Sequence, residues 1–262
     1  MTADRTPPPL AAEWFSLGYC LRFMFRKKRI MAWSALLFLA TIALTTAGYQ
    51  LSIEYVDSVT GSFFSEPPSS STIWGWIVFQ GWTIGKWFFL IITRIVAFYL
   101  AFLVAFCLTS PGYVFLSTAT EKFQTGGGHG VDDSLSLMGA LVDILEGVKI
   151  ALFGLFITLI ALIVNFIPGL GQAAVFFLYV FYSALIFIDY PTSRRRWSLG
   201  RKLAWIREHS GTALRIGLLP AFLSMIPVLN VFLMSLLFPL LTIHSTLNFC
   251  SIEQHRQRLS RR

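Results

Sequence analysis

The sequence predicts an all-α integral membrane protein with two long transmembrane helices, two short helical hairpins that penetrate the bilayer in part, and amphipathic helices at the interface. Of the 262 residues, 55% are hydrophobic and only 13% are charged, which is more apolar surface than one soluble core of this size can bury. The apolar residues form long runs without period-two alternation, which favours helices over a barrel. Two proline turns, at 167–172 and 226–230, interrupt such runs.

We attribute the net charge of +8 to basic segments that flank the membrane and not to a surface that binds nucleic acid. Basic residues cluster at the ends of apolar segments, as the positive-inside rule describes, so we expect no nucleic-acid partner. Cys20, Cys107 and Cys250 lie in or beside apolar segments without paired spacing, which predicts packing residues and neither a disulfide framework nor a metal site. No catalytic or cofactor motif is present, and we predict neither an enzyme nor a bound cofactor.

Residues 1–12, with three consecutive prolines, are predicted to be a disordered lead to a single membrane domain over 13–262. Apolar residues then recur at helical spacing, which indicates an interfacial amphipathic helix; an extension of the first span is the alternative. Four basic residues at 26–29 precede the first span, at about 30–51, whereas 52–72 contains acidic residues but no Lys or Arg. The N-terminus is therefore predicted to be cytoplasmic.

The second span is predicted at about 83–109, inside an apolar segment from residue 73 that is too long for one perpendicular crossing. Pro111 is expected to end this helix on the cytoplasmic side. The glycine run at 126–130 has no following lysine or Ser/Thr at P-loop spacing, so we expect a flexible connector in place of a phosphate loop.

Two helical hairpins are predicted at about 148–188 and 212–248, each around one proline turn. The arm 212–226 would be only about 22 Å long at 1.5 Å per residue, short of the roughly 30 Å hydrocarbon thickness. Some arms are therefore expected to penetrate only part of the bilayer. Basic clusters follow both hairpins, at 194–215 and 256–262. This pattern predicts that both hairpins end in the cytoplasm and that the C-terminus is cytoplasmic.

The proline turns also supply candidate binding groups. A turn at membrane depth presents backbone N–H groups from the start of the next helix, and such a terminus can hold an anion. Gly169 and Gly171 would allow close approach of the backbone, and Gln172 and Asn230 offer neutral hydrogen bonds. The alternative is that these residues only cap and pack the hairpins.

Three further polar residues lie in or beside apolar runs. Arg94 is a candidate for lining a polar path, with snorkelling to the outer headgroups as the alternative. His244 has no second ligand at i+3 or i+4, so a packing histidine is favoured over a metal ligand or proton relay. Asp189 precedes an arginine cluster, and we expect it to pair with Arg194 or Arg195 as a structural anchor, with gating as the alternative.

Three motifs resemble the bacterial CysZ sulfate permeases and the wider etoposide-induced-protein family: Phe-Ile-Pro-Gly-Leu-Gly-Gln at 166–172, Asp-Tyr-Pro at 189–191 and Ile-Pro-Val-Leu-Asn at 226–230. The resemblance is strongest over about 148–250 and extends, more weakly, to Ser110-Pro111 with Glu121. It implies a bacterial inner-membrane protein with two full spans and partly penetrating hairpins, which assembles as an oligomer and passes sulfate into the cytoplasm for cysteine synthesis. Glu121, with Arg94 and Asn230, is then a candidate for the pore.

Lys28 and Arg29 match the basic pair of a Pro-Gly-apolar-Arg-Arg turn that resembles a sulfate-contacting loop in the permeases. The resemblance implies that this pair attracts the anion. The chain departs from the family pattern at 25–26, where Phe and Arg replace Pro and Gly. It departs again at Thr118 and Ile157, which replace an acidic residue and an arginine.

Two functions follow. The first is an inner-membrane permease or channel for sulfate or a related small anion, in which Lys28 and Arg29 attract the anion. Helix termini around 169–172 then replace part of its hydration shell. The alternative is a membrane scaffold or biogenesis factor of the same superfamily without transport, whose aromatic-rich helices serve as partner surfaces.

Overall fold

The structure is a computed structural model that describes residues 13–61, 64–125, 137–226 and 229–260. Every regular element within these ranges is an α-helix, which confirms the all-α prediction. The helices are α1 Leu17–Arg26, α2 Lys28–Thr60, α3 Ile73–Thr125, α4 Leu137–Val164, α5 Leu170–Ser193, α6 Leu199–Glu208, α7 Ser210–Ser224 and α8 Leu229–Ser260. The predicted lead at 1–12, the glycine run at 126–130 and Pro227 in the second turn lie outside the described residues.

Five segments of the described chain are long and apolar enough to cross a membrane. They are Lys28–Thr60, Ile73–Gln124, Leu145–Val164, Leu170–Ser193 and Asn230–Ser260. Large apolar side chains on these segments are exposed along their length, including Leu51 at 67%, Phe88 at 65% and Ile163 at 71%. Soluble proteins do not expose apolar surface on that scale. The chain is therefore a multi-pass helical membrane protein.

The helices correspond to the predicted elements with different bounds. The span at 30–51 falls inside α2 and the span at 83–109 inside α3, and the hairpins at 148–188 and 212–248 correspond to α4 with α5 and α7 with α8. α2, α3, α5 and α8 extend beyond the predicted segments, because a helix does not need apolar residues at its ends, whereas α4 ends at Val164 and α7 at Ser224, before the proline turns. The short amphipathic helix α6 was not predicted as a separate element.

α3 continues through Pro111 to Thr125, so the prediction that this proline ends the helix is wrong. Proline removes one backbone hydrogen bond and crowds the preceding turn. However, Tyr113 and Leu116 in the next turns are completely buried, and this burial keeps the chain helical. The same tolerance recurs at three other prolines inside helices, Pro191, Pro220 and Pro239.

The chain divides into two compact units, one of Leu39–Thr109 and the other of Met1–Phe38 with Ser110–Arg262. In the first, α2 packs against α3 through small residues. A Cβ placed on Gly48 would lie 3.3 Å from the Ala101 Cβ, which is the close backbone approach that small residues permit between membrane helices. The Tyr49 and Phe98 rings meet edge to face beside it, with centroids 5.8 Å apart.

In the other unit, α5 and α7 cross at a glycine. A Cβ placed on Gly217 would lie 3.0 Å from the Ala184 nitrogen and closer still to the Val180 carbonyl oxygen. α8 packs beside them, where the Ser245 hydroxyl donates to the Phe187 carbonyl oxygen at 2.9 Å. Four aromatic rings, with neighbouring centroids 4.6 to 6.5 Å apart, fill the space among α3, α5 and α8: Tyr113, Phe187, Tyr190 and Phe238. These helices form the packed core of the unit.

α1 is a separate amphipathic helix and not an extension of the first span. Ser16 caps it by accepting a hydrogen bond from the Tyr19 N–H at 3.3 Å, and Lys27, in extended backbone conformation, separates it from α2. Its inward face carries Cys20, which is completely buried. Burial raises the pKa of the Cys20 thiol to about 12, so this cysteine is a neutral packing residue.

The segment before α1 is held against α8 by a side-chain amide. Asn248 Oδ1 accepts from the Phe15 N–H at 2.9 Å, and Asn248 Nδ2 donates to the Phe15 carbonyl oxygen at 3.1 Å. The Ser251 hydroxyl donates to the Glu13 carbonyl oxygen at 2.8 Å. We call the double contact of Asn248 with Phe15 the amide clamp. It fixes where α1 begins relative to α8.

Candidate functional site

The basic pair Lys28 and Arg29 forms the first turn of α2. Both side chains are exposed, and this turn contains no acidic residue. Neither side chain makes an ion pair with a carboxylate of the described residues. The N–H groups at a helix start carry partial positive charge. This turn thus combines two cations with the positive end of a helix, which is an arrangement that attracts anions.

Three contacts locate this pair within its unit. The Lys27 ammonium lies 5.1 Å from the Phe123 ring centroid of α3. The Trp33 ring stacks on the Phe115 ring of α3, with centroids 6.5 Å apart. The Arg194 guanidinium lies 4.9 Å from the centroid of the same Phe115 ring. The basic pair therefore lies near the last turns of α3 and the C-terminal end of α5.

The first proline turn lies at the other end of α5. Its centre is Gly169, with φ 77° and ψ −63°, and the Leu170 N–H donates to the Pro168 carbonyl oxygen at 2.9 Å. These values define a classic γ-turn, a strained conformation that favours glycine. Gly171 is buried, and its N–H donates to the Ile167 carbonyl oxygen at 2.9 Å. Two of the N–H groups at this helix start are therefore already used by the turn itself.

The structure does not bring the candidate anion-binding residues into one site. α5 has 24 residues, so its ends are about 36 Å apart at 1.5 Å per residue. Lys28 and Arg29 lie near one end, and Gly169, Gly171 and the exposed Gln172 lie at the other. Any anion that contacts both groups must contact them in succession.

Glu121 lies at the same end as the basic pair, and it forms an ion pair. Arg195 Nη2 donates to Glu121 Oε1 at 2.6 Å, with side-chain exposures of 28% and 14%. The Arg195 guanidinium also lies 5.1 Å from the Phe249 ring centroid. This contact joins α3 to the segment after α5 and to α8. The predicted partner of Arg195 was Asp189, and the structure gives Glu121 in its place.

Asp189 pairs instead with Lys202 of α6. Lys202 Nζ donates to Asp189 Oδ1 at 2.6 Å and lies 3.7 Å from Glu146 Oε2 of α4. The Lys202 side chain is completely buried, and Asp189 is 9% exposed. Glu146 also accepts a hydrogen bond from the exposed Lys149 at 2.5 Å. We call Lys202, Asp189 and Glu146 the buried charge cluster; it ties together α4, α5 and α6.

Sequence reasoning missed this cluster because Lys202 was counted among the basic residues that flank the membrane. One signal was available. Lys202 precedes Trp205 and Ile206 by three and four residues, which places it on the same face of α6, and both of those side chains are buried. A lysine on the inward face of an amphipathic helix requires a buried carboxylate, because an unpaired buried charge is too costly.

Three candidates remain, Arg94, Asn230 and His244. Arg94, in the unit of Leu39–Thr109, is exposed, and with Asp57 it lines a cavity of about 10 Å³, which holds one water at most. Asn230 Nδ2 donates to the Ser224 carbonyl oxygen at 3.2 Å, so this side chain caps the end of α7. His244 is 4% exposed and meets the Trp14 ring edge to face at 5.3 Å, as a packing histidine does.

One comparison with known proteins identifies the family. The profile described as sulfate transporter CysZ/etoposide-induced protein 2.4 matches residues 16–235, which include α1 to α7 and the start of α8. None of the curated proteins matches the chain. Because the family profile covers most of the sequence, the chain belongs to the sulfate transporter CysZ/etoposide-induced protein 2.4 family.

Proposed function

We propose that this protein is a permease or channel that passes sulfate or a related small oxyanion across the bacterial inner membrane, supplying sulfur assimilation. Membership of a family whose description includes a sulfate transporter supports this function. The observation that carries it is the exposed, unneutralised turn of Lys28 and Arg29 at the start of α2. No chemical reaction or cofactor belongs to the proposal.

The proposed topology places α2 and α3 as full spans and the hairpins as partly penetrating. α7, with 15 residues, is about 22 Å long and falls short of the roughly 30 Å hydrocarbon layer. Arginines at 194–196 and at the end of α8 favour a cytoplasmic position for the C-terminal ends of α5 and α8 and for both termini of the chain. In this orientation the basic pair faces the cytoplasm and the Gly169 turn lies deeper in the membrane.

The anion then meets two different environments. At the basic pair, the ammonium and guanidinium groups replace part of its hydration shell with charge-assisted hydrogen bonds. At the Gly169 turn, the N–H groups of Leu170 and Gly171 are engaged, and the exposed Gln172 side-chain amide can donate. We therefore assign recognition to the basic pair, with Glu121 and Arg195 beside it, and give the turn a mainly conformational role.

We further propose that the protein is a homo-oligomer. The tip between α4 and α5 exposes large apolar side chains, among them Phe166 at 83% and Leu170 at 78%. A second copy of the chain would cover this tip and shield these side chains. Crosslinking of a Phe166→Cys variant in native membranes tests this contact directly.

The permease proposal is tested by sulfate flux. The purified protein is reconstituted into liposomes, and uptake of radiolabelled sulfate is followed under an imposed inside-positive potential, since moving two negative charges through 100 mV releases about 4.6 kcal/mol. The Lys28→Ala/Arg29→Ala variant is expected to lose most of the flux. Arg256→Ala/Arg258→Ala removes the same charge from exposed positions outside the family match and should retain it.

The alternative function is a membrane scaffold without transport. It is favoured by residues 25–26, where Phe and Arg stand in place of Pro and Gly, and where Phe25 is 60% exposed as in a contact surface. Uptake no faster than that of empty liposomes, at several pH values and both signs of the potential, would exclude the permease and leave the scaffold. Equal loss of flux in both double variants would exclude a specific role for the basic pair.

A further inference from the structure

The exposed face of α1 carries two adjacent strips of different chemistry. Leu21 and Phe25, which are 41% and 60% exposed, are one turn apart and form an apolar strip. Arg22 and Arg26, both exposed, form a basic strip directly beside it, because residues four apart share one face of a helix. The helix thus presents a longitudinal boundary between apolar and cationic surface.

This face is fixed in its outward orientation. On the opposite side of α1, Cys20 is completely buried. At the C-terminal end, Lys27 points towards the Phe123 ring of α3, and at the N-terminal end the amide clamp attaches Phe15 to α8. α1 therefore cannot roll to bury the two strips without breaking these contacts.

The basic strip lacks compensating charge. Neither Arg22 nor Arg26 makes an ion pair within the part of the chain that the structure describes. In the sequence, no acidic residue occurs between Glu13 and Glu54. The strip is thus strongly positive at the point where the chain enters the membrane helix α2.

We propose that α1 binds anionic phospholipid headgroups, with Arg22 and Arg26 on the phosphates and Leu21 and Phe25 in the adjoining acyl layer. Amphipathic helices with this division of apolar and basic residues lie in the membrane interface and gain affinity from anionic lipids. A dissolved phosphate or sulfate would make no use of the apolar strip, which is why the partner is a lipid. The proposal does not depend on transport, and it involves residues distinct from Lys28 and Arg29.

The test measures lipid binding to the full chain in neutral detergent by native mass spectrometry, with phosphatidylglycerol and phosphatidylcholine as probes. The wild-type protein should bind phosphatidylglycerol more tightly than phosphatidylcholine. Each basic residue near an anionic surface contributes about a fivefold factor, so Arg22→Ala/Arg26→Ala should weaken phosphatidylglycerol binding roughly 30-fold. Leu21→Ser/Phe25→Ser should weaken the binding of both lipids.

Two controls keep the result interpretable. Arg22→Lys/Arg26→Lys retains the charge and should retain binding within a few-fold, and Arg256→Ala/Arg258→Ala removes equal charge elsewhere and should bind as the wild type does. The proposal is overturned if Arg22→Ala/Arg26→Ala binds phosphatidylglycerol normally, or if the Arg256/Arg258 control loses as much. Displacement of the lipid by millimolar inorganic phosphate would also overturn it, since that result identifies a small-anion site.

Discussion

The two ends of α5 are stabilised by different kinds of contact. At its N-terminal end, the Gly169 turn is exposed, with Leu170 at 78%, and is closed by backbone hydrogen bonds. At its C-terminal end, Asp189 belongs to the buried charge cluster with Lys202 and Glu146. One end depends on what a glycine backbone can adopt, and the other on charges contributed by three helices. The first is a local property, and the second exists only in the folded chain.

The largest effect is expected at the charged end. Lys202→Met leaves Asp189 and Glu146 without their buried cation, which costs about 3–5 kcal/mol and lowers the unfolding temperature in detergent by roughly 10 °C. Adding Asp189→Leu removes the orphaned charge and should recover much of the loss. If Lys202→Met melts with the wild type, the cluster does not stabilise this end.

A smaller effect is expected where α7 crosses the C-terminal half of α5. Gly217→Ala forces a methyl group against the backbone of Val180 and Ala184, which should cost about 1–3 kcal/mol because backbone cannot move aside as a side chain can. Thermal unfolding in detergent measures this loss. Gly211→Ala, in the same helix with open space around it, should instead be neutral or stabilise by up to about 1 kcal/mol.

At the glycine end, Gly169→Ala isolates the cost of backbone conformation. Nothing lies within 4 Å of an added Cβ, so packing is unaffected. The positive φ of 77° should still cost about 1 kcal/mol. Gly200→Ala has equally open surroundings and no positive φ, and its unfolding temperature should not fall. Equal values for the two variants would show that the turn relaxes to another conformation.

The smallest effect is expected at the rim of the charge cluster. Lys149 is 60% exposed and contacts the same Glu146 that lies near Lys202. Lys149→Met should change the free energy of unfolding by less than about 1 kcal/mol, because water screens this pair. A loss as large as that of Lys202→Met would mean that Glu146, and not Asp189, is the main partner of the cluster.

The same contrast explains what the sequence could predict. The apolar runs and proline turns are local patterns, and they were sufficient for the all-α fold and for the approximate positions of α2, α3, α5 and α8. Pro111 was misread because local propensity was outweighed by the burial of Tyr113 and Leu116, which depends on other helices.

For the candidate site, the sequence suggested residues but did not predict the contacts that they make. Asp189 was expected beside Arg194 or Arg195, which are near it along the chain, but its partner lies 13 residues away on α6. The separation of the basic pair from the Gly169 turn likewise follows from the length and packing of α5. Ion pairs between helices leave no regular spacing in a single sequence, so they cannot be predicted from it.

The amide clamp also has a consequence for the order of biosynthesis. Phe15 is made 233 residues before Asn248, which at about 5–20 residues per second is an interval of roughly 10–50 s. Throughout that interval α1 exists without the helix that holds it. The inward face of α1, which carries the buried Cys20, is uncovered during this interval, and the membrane surface beside the ribosome is the nearest support. The final attachment of the first helix therefore depends on a turn that is synthesised 233 residues later.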